Sequence, residues 1–140
     1  MKITQVSITY EDVVNLLTME AGGFDYWAEI VYDEKGYIKT KEEMKKAGFK
    51  GQFEDGYCYE EVLAYMIWHR DDGVLPVVAR GVSIHDKEEG IFYPLTKEKI
   101  LHGFLLNAQN RPEDADLDNG DAATGDCILQ YAIFGDIIYG

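Results

Sequence analysis

The chain has 140 residues, 46% hydrophobic and 13% aromatic, with 26 acidic side chains against 13 lysines and arginines for a net charge of −13. That length suits one domain with a core large enough to need neither metal nor disulfide, and the hydrophobic share excludes the disordered class despite the charge. No apolar run reaches the roughly 18 residues of a membrane span, and Met1-Lys2-Ile3-Thr4 does not open a signal peptide, so a reducing, cytoplasmic setting is expected.

Thr9 to Asp12 has the pattern of a capping box and opens a helix in which Tyr10, Val13, Val14, Leu17 and Ala21 keep helical spacing until Gly22-Gly23. Tyr26 to Tyr32 alternates as a strand does, and Asp33 to Gly36 reads as a turn. Thr40-Lys41-Glu42-Glu43 reads as a second capping box, starting a short, exposed, lysine-rich helix that Gly48 stops. Residues 60–69 are apolar almost all round, which predicts a helix buried on most sides or one that also meets a partner, and suits a homodimer. Asp71-Asp72-Gly73 closes it. From Val77 to Leu95 the pattern is a hairpin, Val82-Ser83-Ile84 pairing with Ile91-Phe92-Tyr93 across Asp86 to Gly90. Thr96 is the N-cap of a helix with Ile100, Leu101, Phe104, Leu105 and Ala108 on one face, ended by Asn110-Arg111-Pro112. An acidic loop follows, then a helix over 121–134, Gly135 as its stop, and a terminal strand from Asp136 to Tyr139. This order predicts an α+β fold: a single domain, 1–140, of about five helices on a small, mainly antiparallel sheet.

The charge is uneven. Residues 1–34 carry seven acids against Lys2, residues 107–140 seven acids against Arg111, and residues 35–50 six lysines against Glu42 and Glu43. Such a field attracts basic protein surfaces and cations and repels nucleic acid and anionic lipid, so no direct nucleic-acid or membrane binding is expected unless the lysine segment does it alone.

Asp114, Asp116 and Asp118 alternate as calcium ligands do, but an EF-hand register needs glycine where Asn119 stands and an acid where Gly125 stands, so a solvated loop is the reading preferred. His69, His85, His102, Cys58 and Cys127 form no C-x-x-C, H-E-x-x-H or similar motif, and no glycine-rich phosphate loop follows a strand. Each cysteine sits in a segment read as helix, where it acts as a small apolar residue. The sequence implies no metal, no cofactor and no catalytic residue, and an enzyme is the weaker class.

Two sets of residues are out of place. The last helix is apolar round most of its girth, yet Asp126 and Gln130 stack four residues apart within it. They either satisfy loop N–H groups, such as those near Gly22-Gly23, or line a ligand pocket. Gly22-Gly23-Phe24-Asp25-Tyr26-Trp27 poses the same choice, a turn or a backbone that a ligand can approach beside two stacking rings. A small-ligand, nucleotide-like binder or sponge would use Tyr26, Trp27, Asp126 and Gln130.

The run into Gly22-Gly23-x-x-Tyr26-Trp27, the Leu95-Thr96 strand end with a helix ending near His102-Gly103, and the closing Asp126-x-x-x-Gln130-Tyr131-Ala132-x-Phe134-Gly135-Asp136-x-x-Tyr139-Gly140 resemble a group of small proteins encoded by bacteriophages and prophages. The similarity covers most of the chain, least so at 35–50 and 60–69. It implies a setting in the host cell's cytoplasm, where small acidic phage accessory proteins act against host defence, as anti-CRISPR inhibitors do, by filling a nucleic-acid channel with their own carboxylates or by sequestering a nucleotide signal. The leading expectation is an inhibitor that docks on a basic surface of a host protein as a nucleic-acid mimic through Glu113, Asp114, Asp116, Asp118 and Asp121. A phage structural or assembly protein is the remaining alternative.

Overall fold

A computed structural model describes residues 5–18, 23–53, 56–69, 81–111 and 122–140. In chain order its elements are α1 (Tyr10–Thr18), β1 (Ala28–Tyr32), α2 (Glu34–Lys46), α3 (Tyr59–Trp68), β2 (Val82–Asp86), β3 (Ile91–Pro94), α4 (Lys97–Asn110) and α5 (Ala122–Phe134). The three strands form one antiparallel sheet in the order β1-β2-β3. This is the α+β class that the patterning predicts.

The local signals explain most of these elements. Thr9 Oγ1 accepts from the Asp12 N–H at 3.3 Å while Asp12 Oδ2 accepts from the Thr9 N–H at 2.8 Å, so the box at the start of α1 closes in both directions. Thr96 Oγ1 accepts from the Lys99 N–H at 3.2 Å and starts α4. Gly135 takes φ +74° just past α5, and its N–H reaches the Tyr131 carbonyl. In the hairpin, Ile84 pairs with Tyr93 and His85 with Phe92. Asp86 holds the turn, its Oδ1 accepting from the N–H groups of Glu88 and Glu89 at 2.9 and 3.2 Å.

The structure corrects the expected boundaries in four places. The strand expected from Tyr26 begins at Ala28, because residues 24–27 form a turn in which the N–H groups of Trp27 and Ala28 both donate to the Phe24 carbonyl. Asp33 to Gly36 is the first turn of α2, with Asp33 as N-cap accepting from the Gly36 N–H at 3.0 Å. Thr40 is therefore mid-helix, fully buried, and its hydroxyl donates back to the Gly36 carbonyl at 2.7 Å. Cys58 is the N-cap of α3 rather than a helical residue. Asp136 to Tyr139 is not a strand; its fate is described below. Asp71 to Gly73 and Gly22 lie outside the described residues.

The core sits between the sheet and the helices. Ala28, Ile30, Val82 and Ile84 meet Leu16 and Leu17 of α1, Leu63, Ala64 and Ile67 of α3, Ile100 and Phe104 of α4, and Ile128 and Leu129 of α5. As expected, α3 is buried on most sides. The most extensive helix packing joins α4 to α5, and it depends on Gly103. A Cβ there would stand 2.6 Å from the Ile128 carbonyl oxygen and 3.0 Å from the Ala132 nitrogen, so only glycine lets the two backbones approach this closely. No helix among the described residues is long and apolar enough to cross a membrane.

Candidate functional site

The fold brings together Tyr26, Trp27, Asp126 and Gln130, the four residues singled out for ligand binding. Three donors converge on the half-buried Asp126 carboxylate. Trp27 Nε1 reaches Oδ1 at 2.7 Å, the Tyr26 hydroxyl reaches Oδ2 at 2.7 Å, and Gln130 Nε2 reaches Oδ1 at 3.0 Å. The 24–27 turn makes this possible by facing Tyr26 outward, 49% exposed, and Trp27 inward, fully buried.

Gln130 does the rest with the C-terminal segment. Its Oε1 accepts from the N–H groups of Ile138 and Tyr139, both at 2.8 Å, and its Nε2 donates to the Tyr139 carbonyl at 3.0 Å. A side-chain amide offers the same acceptor and donor as a peptide unit. The segment expected to be a strand thus finds hydrogen-bond partners in one glutamine side chain. The N–H groups that Gln130 satisfies are those of Ile138 and Tyr139.

Tyr139 completes the network. Its ring stacks on Trp27 with centroids 5.2 Å apart, and its hydroxyl donates to both oxygens of the fully buried Asp86 at 3.0 and 2.8 Å. One continuous set of hydrogen bonds therefore ties α5, the turn before β1, the C-terminal segment and the hairpin turn. Partial burial, then the hydrogen bond to Asp126 and its negative charge, push the Tyr26 hydroxyl up to about 12. Burial, with the hydrogen bond to Asp86 and its charge, does the same for Tyr139, also to about 12. Both phenols remain protonated donors at any physiological pH. Trp27 and Gln130 are fully enclosed and spend their polar atoms on Asp126 and, for Gln130, on the C-terminal segment, an arrangement that holds these parts of the chain together.

No family profile, curated protein or solved structure matches the chain.

An open cavity of about 600 Å³ lies elsewhere, lined by Lys45, Phe49, Lys50, Gly51, Gln52, Phe53, Gly56 and Tyr57. Glu61, buried at the start of α3, organises it from beneath. Its carboxylate accepts from the Gln52 N–H at 3.0 and 3.2 Å and from the Cys58 N–H at 3.1 Å. Burial opposes that charge, but the hydrogen bonds from Cys58 and Gln52 outweigh it and hold the carboxyl below its usual range. The Tyr57 hydroxyl donates to the Phe49 carbonyl at 2.8 Å, and the two rings lie 5.9 Å apart. Gly51 fits here because a Cβ would stand 2.6 Å from the Tyr57 ring and 2.8 Å from Glu61 Oε2. Burial first, then the bonded and charged Glu61, raise the Cys58 thiol to about 11.

The remaining candidates are scattered. His85 sits in mid-sheet, 3.3 Å from Glu29 and stacked on Phe92 at 4.3 Å. His69 ends α3 against the rings of Tyr65 and Tyr10, its pKa lowered by burial and by Lys97, and His102 is exposed on α4. Arg111 Nη1 donates to Cys127 Sγ, and neither cysteine is in a disulfide. Among the described residues no three His, Cys, Asp or Glu side chains group as metal ligands. Glu113, Asp114, Asp116, Asp118 and Asp121, with the rest of the acidic loop, lie outside the described residues.

The sequence reading missed Tyr139 and Asp86 as partners of the Asp126–Gln130 pair, and it missed the cavity. The first omission follows from separation, since Trp27 and Asp126 are 99 residues apart and Asp86 and Tyr139 are 53 apart. The second had a local signal, in which Phe49-Lys50-Gly51-Gln52-Phe53 interleaves rings, a lysine and a glycine immediately after the lysine-rich helix.

Proposed function

We propose that this protein is a phage accessory protein that binds and blocks a basic, nucleic-acid-handling surface of a host defence complex, its carboxylates taking the place of phosphates. The observation that supports this reading is uncompensated negative charge. Against a net −13, only one ion pair joins two described residues, Glu29 with His85, and it needs a protonated histidine. Asp25, Glu88 and Glu89 stand exposed around the turn that Asp86 and Tyr139 fix. A rigid frame carrying unpaired carboxylates presents a field that a basic groove reads as it reads a nucleic-acid backbone. Glu113, Asp114, Asp116, Asp118 and Asp121 extend that field in the sequence.

The test is capture from host lysate on immobilised protein at low salt, followed by challenge with duplex DNA. Nucleic-acid-binding proteins that DNA displaces are the expected catch. Partners retained equally with DNA present, or none of the nucleic-acid-binding class, would overturn the reading.

A further inference from the structure

The cavity between the end of α2 and the start of α3 combines features that a solvated loop does not require. Phe53 is 56% exposed on its wall, an unusual position for a large apolar ring. Phe49 and Tyr57 form a further aromatic wall, already fixed by the Tyr57 to Phe49 hydrogen bond. Lys45 and Lys50 supply two flexible cations at the same opening. Beside Gly56 there is room: a Cβ there would meet no atom of the described residues within 4 Å. The loop is held from below, because the carboxylate facing it, Glu61, is committed to the Gln52 and Cys58 N–H groups.

We infer that this cavity binds a mononucleotide-sized ligand, its phosphate on Lys45 and Lys50 and its base against Phe53. A volume of about 600 Å³ lies within the roughly 300–1,000 Å³ typical of small-ligand sites. Charge selects an anion: residues 45–57 carry Lys45, Lys46 and Lys50 against Glu54 and Asp55, a net positive stretch in a chain of −13. Glu61, the carboxylate beneath the loop, is spent on the Gln52 and Cys58 N–H groups, and charges farther off than a Debye length of about 8 Å are screened at physiological salt. An exposed ring beside the lysines selects a planar group, because every base has a face to stack, and it leaves base identity largely unread. The site is independent of the acidic surface proposed above, so either can fail alone.

The probes are AMP, GMP, CMP and UMP, with adenosine and inorganic phosphate as half-ligands, followed by amide chemical shifts and calorimetry on the intact chain. All four mononucleotides are expected to bind and to shift the amides of Lys50 to Phe53 and of Gly56 and Tyr57, with each half-ligand at least about tenfold weaker. Phe53→Ala should weaken binding by about five- to hundredfold, the range for loss of one stacking ring. Lys50→Ala should weaken it and flatten its salt dependence, and Gly56→Leu, which fills open space, should abolish it. The Phe53 and Lys50 side chains are exposed, so these variants keep the wild-type unfolding midpoint. Absence of any shift at millimolar mononucleotide would overturn the inference. So would affinity unchanged in both Phe53→Ala and Lys50→Ala, or a concentration-dependent dimer that Phe53→Ala dissolves and nucleotides leave intact.

Discussion

Replacing Gln130 by leucine separates shape from hydrogen bonding, because the two side chains are similar in size and the site is fully buried. The change removes the acceptor for the Ile138 and Tyr139 N–H groups and the donor to the Tyr139 carbonyl and to Asp126. Four partners at a net of about 1 kcal/mol each give about 4 kcal/mol if all remain buried. Two effects reduce this. The terminal segment can swing into water, as Ile138 is already 54% exposed, and the apolar side chain gains about 1–2 kcal/mol of burial. The expected loss is about 2–3 kcal/mol. Urea unfolding followed by tryptophan fluorescence in a Trp68→Phe background reads it, since Trp27 is then the only reporter and loses the stacked Tyr139 ring. Amide exchange at Ile138 and Tyr139 should accelerate together. An unchanged midpoint with unchanged protection of these two amides would refute the holding role of Gln130.

Gly103→Ala should destabilise the domain by about 1–2 kcal/mol in thermal or urea unfolding: overpacking against the α5 backbone costs about 1–3 kcal/mol, and the gain in helix propensity returns up to about 1 kcal/mol. Ultraviolet titration of the phenols should show a component near pH 12 that is lost stepwise in Tyr26→Phe and Tyr139→Phe. Because those folded values lie above the ordinary 10, the stabilisation that they report is complete below pH 10 and is lost as pH rises through about 12. Glu61 has the opposite sign. Its lowered value means stabilisation that is present above the ordinary 4.5 and lost as the pH falls below it, so Glu61→Gln should blunt the acid limb of a stability–pH profile. Iodoacetamide should modify Cys58 at pH 8 about a hundredfold more slowly than an ordinary thiol, as a shift from 9.0 to about 11 lowers the thiolate fraction by that factor.

The legible parts of the sequence were those in which a local signal and a long-range one agree. Thr9 and Thr96 cap the helices that their neighbours' spacing predicts, and the hairpin pairs as its two apolar runs require. Asp33 and Gly36 were ambiguous because an aspartate followed three residues later by a glycine serves a turn and a helix N-terminus equally well. Packing decided between them: α2 lies against α3, where a Cβ on Gly36 would come within 3.3 Å of Met66. Thr40 then had to be interior, and it satisfies its hydroxyl on the turn above. The candidate site was half legible. Polar Asp126 and Gln130 in an apolar helix announce buried partners, but only the fold shows that these are Trp27, Tyr26 and the chain's own C-terminal segment.

The claim that the carboxylates act in place of phosphates rests most directly on salt. With a partner purified from the capture experiment, the dissociation constant is measured across a series of salt concentrations for the wild-type chain and for one carrying Glu113→Gln, Asp114→Asn, Asp116→Asn, Asp118→Asn and Asp121→Asn. The account predicts affinity that falls steeply with salt for the wild type, and a weaker, flatter dependence for the neutralised chain. Equal affinity and equal slope for the two chains, or wild-type binding indifferent to salt, would contradict it.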